Sequence, residues 1–73
     1  MMEVLILKTN VSSRKKVREL QPVFDNHGSI KCWSVDTEDR HNVLRIEVDG
    51  EFQIGDAIEL IQSKGFRGNE LDC

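Results

Sequence analysis

The six residues Val43–Val48, which read VLRIEV, carry the clearest secondary-structure signal in the chain. Three aliphatic side chains, Leu44, Ile46 and Val48, occupy every second position of this stretch. Successive side chains of a β-strand point to opposite faces, so a period of two predicts a strand that is buried on one face. Such a half-buried strand is typical of an antiparallel sheet.

The segment before this strand, residues 36–42, is polar throughout and predicts a hairpin loop. The loop leads back to a second strand, Ile30–Val35, in which the apolar positions do not alternate strictly. A β-bulge at residues 31–32 would bring its three large apolar side chains to one face. We therefore expect Trp33 to pack in the core under a helix. Without the bulge, Trp33 would be an exposed interface anchor on an edge strand.

The first strand is predicted over Met2–Lys8, an aliphatic run that is apolar on both faces and suits a central position in the sheet. Either Leu5 and Leu7 or Val4 and Ile6 face the helices. The other pair faces the open side of the sheet, where an apolar patch could promote a homodimer.

A first helix is predicted between these two strands, because Val17, Leu20 and Phe24 recur at helical spacing over roughly 12 to 15 residues. Ser12 or Ser13 is a suitable N-cap, since a serine hydroxyl can accept from the free backbone N–H groups of the first turn.

The end of this helix is predicted at Gly28, which suits a C-cap position. Pro22 conflicts with a regular helix, because proline lacks a backbone donor and its ring clashes with the preceding turn. We therefore expect a kink or a break near residues 18–21.

A second helix follows the turn at residues 49–51 and is closed by Lys64-Gly65. Phe66–Leu71 could then form a short last strand. The apolar face of the helix is marked by Ile54, Ala57, Ile58 and Ile61.

The predicted fold is a single α+β domain over residues 1–73, with a ferredoxin-like βαββαβ sandwich. Two helices cover one face of a four-stranded antiparallel sheet in this arrangement, which buries both apolar stripes. The connections at residues 9–13, 36–42 and 64–68 then share one end of the domain. A site built from loops would most naturally lie there.

Composition fits a small globular domain, with 38% hydrophobic and 32% charged residues among 73. The net charge of −3 argues against a nucleic-acid partner. No apolar run approaches the roughly 20 residues of a membrane span, and the N-terminus lacks a signal-peptide pattern. We expect a cytoplasmic protein without a membrane partner. In a reducing cytoplasm, Cys32 and Cys73 are expected to be two unrelated thiols.

Several landmarks resemble the heavy-metal-associated domain of copper chaperones and metal-pumping ATPases, over nearly the whole chain. They are a strand that ends before the first helix, Val35-Asp36 at the end of the second strand, the alternating strand Val43–Val48, and the Gly65-Phe66 step after the second helix. The resemblance implies a metal loop, Met-Thr-Cys-x-x-Cys, between the first strand and the first helix.

The two cysteine positions of that loop fall on Asn10 and Ser13, and the methionine position falls on Lys8. Soft ions such as Cu(I) need thiolates, whereas an amide and a hydroxyl are hard, weak ligands. Lys8 and the basic residues 14–16 disfavour a cation further. We therefore predict a degenerate site with no metal and no cofactor. The serines could simply cap the helix, or Asn10 and Ser13 could hold a new, anionic ligand.

A basic surface is predicted at the same end of the domain. Positive charge in the first helical turns opposes the helix dipole and mildly destabilises the helix, which suggests that these basic residues have a functional role. In the resembling family, basic residues around this end help a chaperone dock on acidic partner domains. The alternative is a solvated helix face, partly neutralised by the acidic hairpin. The candidate docking residues are Arg14, Lys15, Arg18, Lys64 and Arg67.

The sequence shows no nucleophile with a nearby base and no phosphate-cradling loop, so we do not predict an enzyme. It predicts a small interaction module whose partner is another protein. A copper-type carrier that uses Cys32, Cys73 or His41 is one alternative. A small-ligand or enzymatic domain on the open sheet face is another. His27 and His41 are otherwise expected to be structural or exposed.

Overall fold

A computed structural model describes residues 2–71 of the chain. The elements are β1 (Met2–Thr9), α1 (Arg14–Asp25), β2 (Ile30–Asp36), β3 (Val43–Asp49), α2 (Ile54–Gln62) and β4 (Gly68–Glu70). The four strands form one antiparallel sheet in the order β2-β3-β1-β4. This is the predicted ferredoxin-like βαββαβ sandwich, which is confirmed.

The core lies between the sheet and the two helices. Leu7 of β1 pairs with Leu44 of β3, and Leu5 pairs with Ile46. Because paired residues share a face, the Leu5 and Leu7 side of β1 faces the helices. The buried apolar residues are Leu7, Val11, Leu20, Phe24, Leu44, Ile46, Val48, Phe52, Ala57, Ile61 and Phe66.

The predicted β-bulge in β2 is confirmed by a register shift between Ile30 and Cys32. The shift brings Trp33 opposite Ile46, on the face that the helices cover. The indole ring lies edge-on to Phe24, with centroids 5.0 Å apart, and its Nε1 donates to Asp25 Oδ1 at 2.9 Å. Trp33 is half-buried, so it packs at the border of the core and not at its centre.

Helix α1 begins after Ser13, whose Oγ accepts from Lys16 N at 3.3 Å, as its predicted capping role requires. Of the kink or break predicted near residues 18–21, the break is wrong, since the helix continues through Pro22 to Asp25, and the kink stays a prediction. Leu20 and Phe24, on either side of the proline, are fully buried. Their packing holds the last turn against the loss of one backbone hydrogen bond.

The predicted C-cap at Gly28 is also wrong, because the helix ends earlier and its C-cap is Asn26. The Asn26 side chain donates from Nδ2 to Pro22 O at 2.7 Å. That bond satisfies one of the carbonyl groups that a helix C-terminus leaves free, so a glycine is not required there.

Helix α2 ends as predicted, with Gly65 at φ +84 just beyond it. This left-handed conformation favours glycine and turns the chain, so that Phe66 N donates to Ile61 O at 3.0 Å. Strand β4 is shorter than predicted and covers Gly68–Glu70. Within residues 2–71, no helix is long and apolar enough to cross a membrane.

Candidate functional site

The three predicted connections do meet at one end of the domain, which we call the loop end (residues 9–13, 37–42 and 63–67). Thr9 N donates to His41 O at 2.9 Å, and Asn10 N donates to Arg67 O at 3.2 Å. The loop after β1 is therefore bonded to both of the other loops.

Asn10, at the first position that the family resemblance assigns to a cysteine, links two distant segments. Its side-chain Oδ1 accepts from Arg67 N at 2.7 Å, while its backbone N donates to Arg67 O. Residues 10 and 67 thus form a two-way bridge. A thiolate at position 10 could not reproduce this short amide contact, so asparagine has a structural use here.

Thr9 and Asn42 form a second bridge across the same end. Thr9 Oγ1 donates to Asn42 O at 2.7 Å and accepts from Val11 N at 3.1 Å. Asn42 Nδ2 donates back to Thr9 O at 3.4 Å, from a residue at φ +47. This left-handed conformation is one that asparagine tolerates better than most residues.

Ser13, at the second position that the family resemblance assigns to a cysteine, caps helix α1 through the bond from Lys16 N. Ser12 Oγ accepts from Lys16 Nζ at 3.1 Å. Asn10 Oδ1 and Ser13 Oγ are therefore both engaged by backbone N–H groups. Neither residue supplies a soft ligand atom.

Cys32 and His41, the two alternative metal ligands within residues 2–71, are not brought together. Cys32 lies opposite Glu47 on the open face of β2, whereas His41 lies in the hairpin. From Cys32 to the end of β2 at Asp36 the strand alone spans about 13 Å, at about 3.3 Å per residue. Within residues 2–71 no group of three or more metal-ligating side chains is found. Cys73 lies outside the described residues.

Positive charge is concentrated at the loop end, although the net charge is negative. Of the ten lysine and arginine residues, only Lys31 and Arg45 lie away from it or its flanking turns. Lys31 pairs with Asp49 at 3.3 Å, the one ion pair within residues 2–71. The other eight lie in the loop end, in the last residues of β1 or in the first turns of α1. They are Lys8, Arg14, Lys15, Lys16, Arg18, Arg40, Lys64 and Arg67.

The predicted docking residues divide between two surfaces. Arg14 and Arg18 line a groove between α1 and the end of β2, where they face Asp36 and Glu38. Lys15 is exposed on the same helix. The other two predicted residues, Lys64 and Arg67, lie on the connection from α2 to β4.

A cavity of about 230 Å³ at the loop end joins Arg67 to residues that the sequence analysis did not connect with it. Arg40 and His41 reach it from the hairpin, and Lys8 reaches it from β1. The sequence does not show this cluster, because the pairing of β1 with β3 and β4 brings its residues together. The lining residues are Lys8, Thr9, Asn10, Arg40, His41, Arg67, Gly68 and Asn69.

The two histidines differ in their surroundings. His27 lies edge-on to Phe52, with ring centroids 4.9 Å apart, and its Nδ1 accepts from Ser29 N at 3.3 Å. These contacts support the predicted structural role. His41 is exposed, and its backbone N donates to Asp39 Oδ1 at 2.8 Å.

The open face of the sheet carries a narrow apolar strip on β1. Met2 is 59% exposed and Val4 is 47% exposed, and Ile6 on the same face is half-buried. The neighbouring positions on β3 are the charged Arg45 and Glu47. The homodimer through this face remains a prediction.

Comparison with known proteins gives a match for the fold. No family model matches the sequence. No curated protein matches it either. The structure of the "CsoZ metallochaperone" aligns with a TM-score of 0.79 and 11% identity, over 94% of this chain and 99% of that one.

Oxidized MerP from Ralstonia metallidurans CH34 aligns with a TM-score of 0.82 and 7% identity, over 99% of this chain and 100% of that one. A candidate copper-ion-binding protein from Bacillus anthracis str. Ames aligns with a TM-score of 0.78 and 15% identity, over 94% of this chain and 97% of the other. Identities this low show a shared fold alone. The resemblance to heavy-metal-associated domains is confirmed at that level.

Proposed function

We propose that this chain is a non-enzymatic protein-interaction module on a heavy-metal-associated fold, with a metal loop that no longer binds metal. The observation that carries the proposal is the bonding of Asn10 and Ser13. The oxygens of both side chains accept from backbone N–H groups, of Arg67 at 2.7 Å and of Lys16 at 3.3 Å. Asn10 now joins two loops of the loop end, and Ser13 caps helix α1.

Ligand chemistry supports the same conclusion. Cu(I) is a soft ion that selects thiolate and thioether ligands, and an amide oxygen or a hydroxyl is a hard donor. Lys8 stands at the position of the family's methionine and adds a positive charge beside the loop. A cation that entered the site would meet repulsion instead of two compensating negative charges.

The basic loop end supports docking on an acidic partner protein. Eight cations lie in the loop end or on the adjoining parts of β1 and α1, and none of them forms an ion pair within residues 2–71. Charges of one sign on one surface steer a complementary partner and fix its orientation. We further propose that the module acts in the cytoplasm, where the exposed thiol of Cys32 would remain reduced.

The purified, reduced chain is expected to take up no stoichiometric Cu(I) when titrated against a competing chelator. Hard oxygen donors at positions 10 and 13 cannot outcompete a chelator designed for a soft ion. The matched control is the Cys32→Ser/Cys73→Ser variant, which removes both thiols. Tight one-to-one uptake that persists in this variant would contradict the proposal.

Reversing charge on helix α1 is expected to abolish partner capture. In a pull-down from the native cell, Lys15→Glu/Arg18→Glu should recover at least tenfold less of the specific partner than the unmodified chain, because both attractive charges become repulsive.

The control for this experiment is Lys31→Glu/Arg45→Glu, which makes the same change in net charge away from the loop end. It should retain the partner, and raised salt should release the partner from the unmodified chain. Equal losses in both double variants would show that the loop end is not the docking surface.

A further inference from the structure

We infer that the cavity between β1, the hairpin and β4 binds a small oxyanion with more than one negative charge, of the phosphoryl type. The inference rests on the proposed function and deepens it, since it names the chemical group that the loop end recognises. Three segments far apart in the chain build the cavity, with Lys8 from β1, Arg40 and His41 from the hairpin, and Arg67 from the connection before β4.

The lining has a composition that suits an anion. The residues that line it include one lysine, two arginines, one histidine, two asparagines and one threonine, and none of the lining residues carries a carboxylate. Guanidinium groups bind phosphate oxygens with paired hydrogen bonds, and lysine adds a compact point charge. Three permanent positive charges around one cavity favour a ligand with more than one negative charge.

The acidic residues of the nearby hairpin form no ion pair with the cations of the cavity within residues 2–71. Asp36 Oδ1 accepts from the backbone N of Glu38 at 3.0 Å and of Asp39 at 3.2 Å. Asp39 Oδ1 accepts from His41 N at 2.8 Å. These two carboxylates therefore bond to the hairpin's own backbone. Within residues 2–71, no carboxylate forms an ion pair with Lys8, Arg40 or Arg67.

Hydrogen bonds hold the walls of the cavity in place. The bridge between Asn10 and Arg67 and the bond from Thr9 N to His41 O connect all three segments. Because Asn10 Oδ1 is engaged by Arg67 N, the amide presents its N–H groups as unused donors within the described part of the chain.

The size of the cavity limits the ligand. At about 230 Å³ it is smaller than the roughly 300–1,000 Å³ pockets that enclose drug-sized molecules. A phosphoryl group fits this space, either as free phosphate or at the end of a phosphorylated side chain. Both sources share the same oxyanion chemistry.

The test is an NMR titration of the ¹⁵N-labelled full chain with inorganic phosphate, at constant ionic strength set by sodium chloride. A second titration uses O-phosphoserine, with serine and aspartate as comparison ligands. We expect saturable shifts at the amides of Asn10, His41, Gly68 and Asn69. Tighter binding of O-phosphoserine than of phosphate would indicate a phosphorylated partner as the source, and the reverse order would indicate free phosphate.

Variants separate a built site from general charge screening. Lys8→Met and Arg67→Gln are each expected to weaken phosphate binding at least tenfold, because each removes one permanent charge from the lining. The matched controls Lys31→Gln and Arg45→Gln remove the same charge away from the loop end and should change affinity less than twofold.

Several outcomes would overturn the inference. Shifts that do not saturate, equal losses in the control variants, or aspartate binding as tightly as phosphate would each mean an adventitious ion only. None of these results depends on copper, so the phosphate site can fail while the absence of Cu(I) uptake stands. Conversely, Cu(I) uptake would contradict the proposed function without changing the phosphate titration.

Discussion

Replacing Asn10 and Ser13 together by cysteine is expected to convert a chain without stoichiometric Cu(I) uptake into one that binds a single Cu(I) ion. The two positions lie three residues apart at the junction of β1 and α1. The start of a helix favours the thiolate form of a cysteine, so the restored pair supplies the soft, anionic ligands that the loop lacks.

The restored variant should still fold, at reduced stability. Asn10→Cys removes the bond from Arg67 N, and Ser13→Cys removes the helix cap. Each loss should lower the free energy of unfolding by about 1 kcal/mol. Circular dichroism and a denaturant titration would establish that the variant is folded before copper is added.

A displaced pair of cysteines is the matched control for the copper titration. All variants carry Cys32→Ser and Cys73→Ser, so that only the introduced thiols are tested. Ser12→Cys/Lys15→Cys has the same spacing in the chain but different positions on the loop and helix, and it should bind Cu(I) at least tenfold more weakly. A folded Asn10→Cys/Ser13→Cys variant without Cu(I) uptake would contradict the assignment of positions 10 and 13.

The fold could be predicted because its strongest signals are local. The alternation in β3 depends on six consecutive residues, and the bulge in β2 follows from the spacing of Ile30, Trp33 and Val35 alone. The errors in α1 have a different origin. Burial of Leu20 and Phe24 on either side of Pro22 outweighs the backbone preference of proline, and packing of this kind is not visible in a local pattern.

The candidate site could be predicted only in part, for a similar reason. The positions of Asn10 and Ser13 follow from counting back along the first helix, and the sequence shows that neither is a cysteine. The bond between Asn10 and Arg67 joins residues 57 apart in the chain. The meeting of Lys8, Arg40 and Arg67 likewise depends on three loops folding to one end, so a sequence pattern shows the charges without their neighbours.

A second large effect, a loss of stability, is expected when Gly68 is replaced by alanine, because α2 approaches the sheet at this residue. A Cβ atom at this position would overlap Ile61 Cδ1 and lie 3.4 Å from Lys8 O and from Thr9 Cγ2. Ile61 is fully buried, so its Cδ1 cannot move away without displacing other core side chains. Gly68→Ala should therefore lower the free energy of unfolding by about 1–3 kcal/mol, as overpacking does elsewhere.

A double-mutant cycle identifies the overlap as the cause. Ile61→Val removes Cδ1 and should destabilise the chain by about 0.5–1.5 kcal/mol through the cavity it leaves. In the double variant the new methyl group occupies the space of the old one, so the loss should be clearly smaller than the sum of the single losses. Denaturant titration of all four chains gives the coupling free energy.

Gly55→Ala is the matched control, because a Cβ atom at Gly55 meets nothing within 4 Å and the residue is exposed in α2. It should be stabilising by about 0.4–1 kcal/mol, since alanine restricts the unfolded chain more than glycine does. If Gly68→Ala behaves like this control, or if the two core substitutions are additive, then α2 does not approach β4 as closely as the structure shows. Because Gly68 also lines the phosphate cavity, the same result would weaken the geometry on which that site depends.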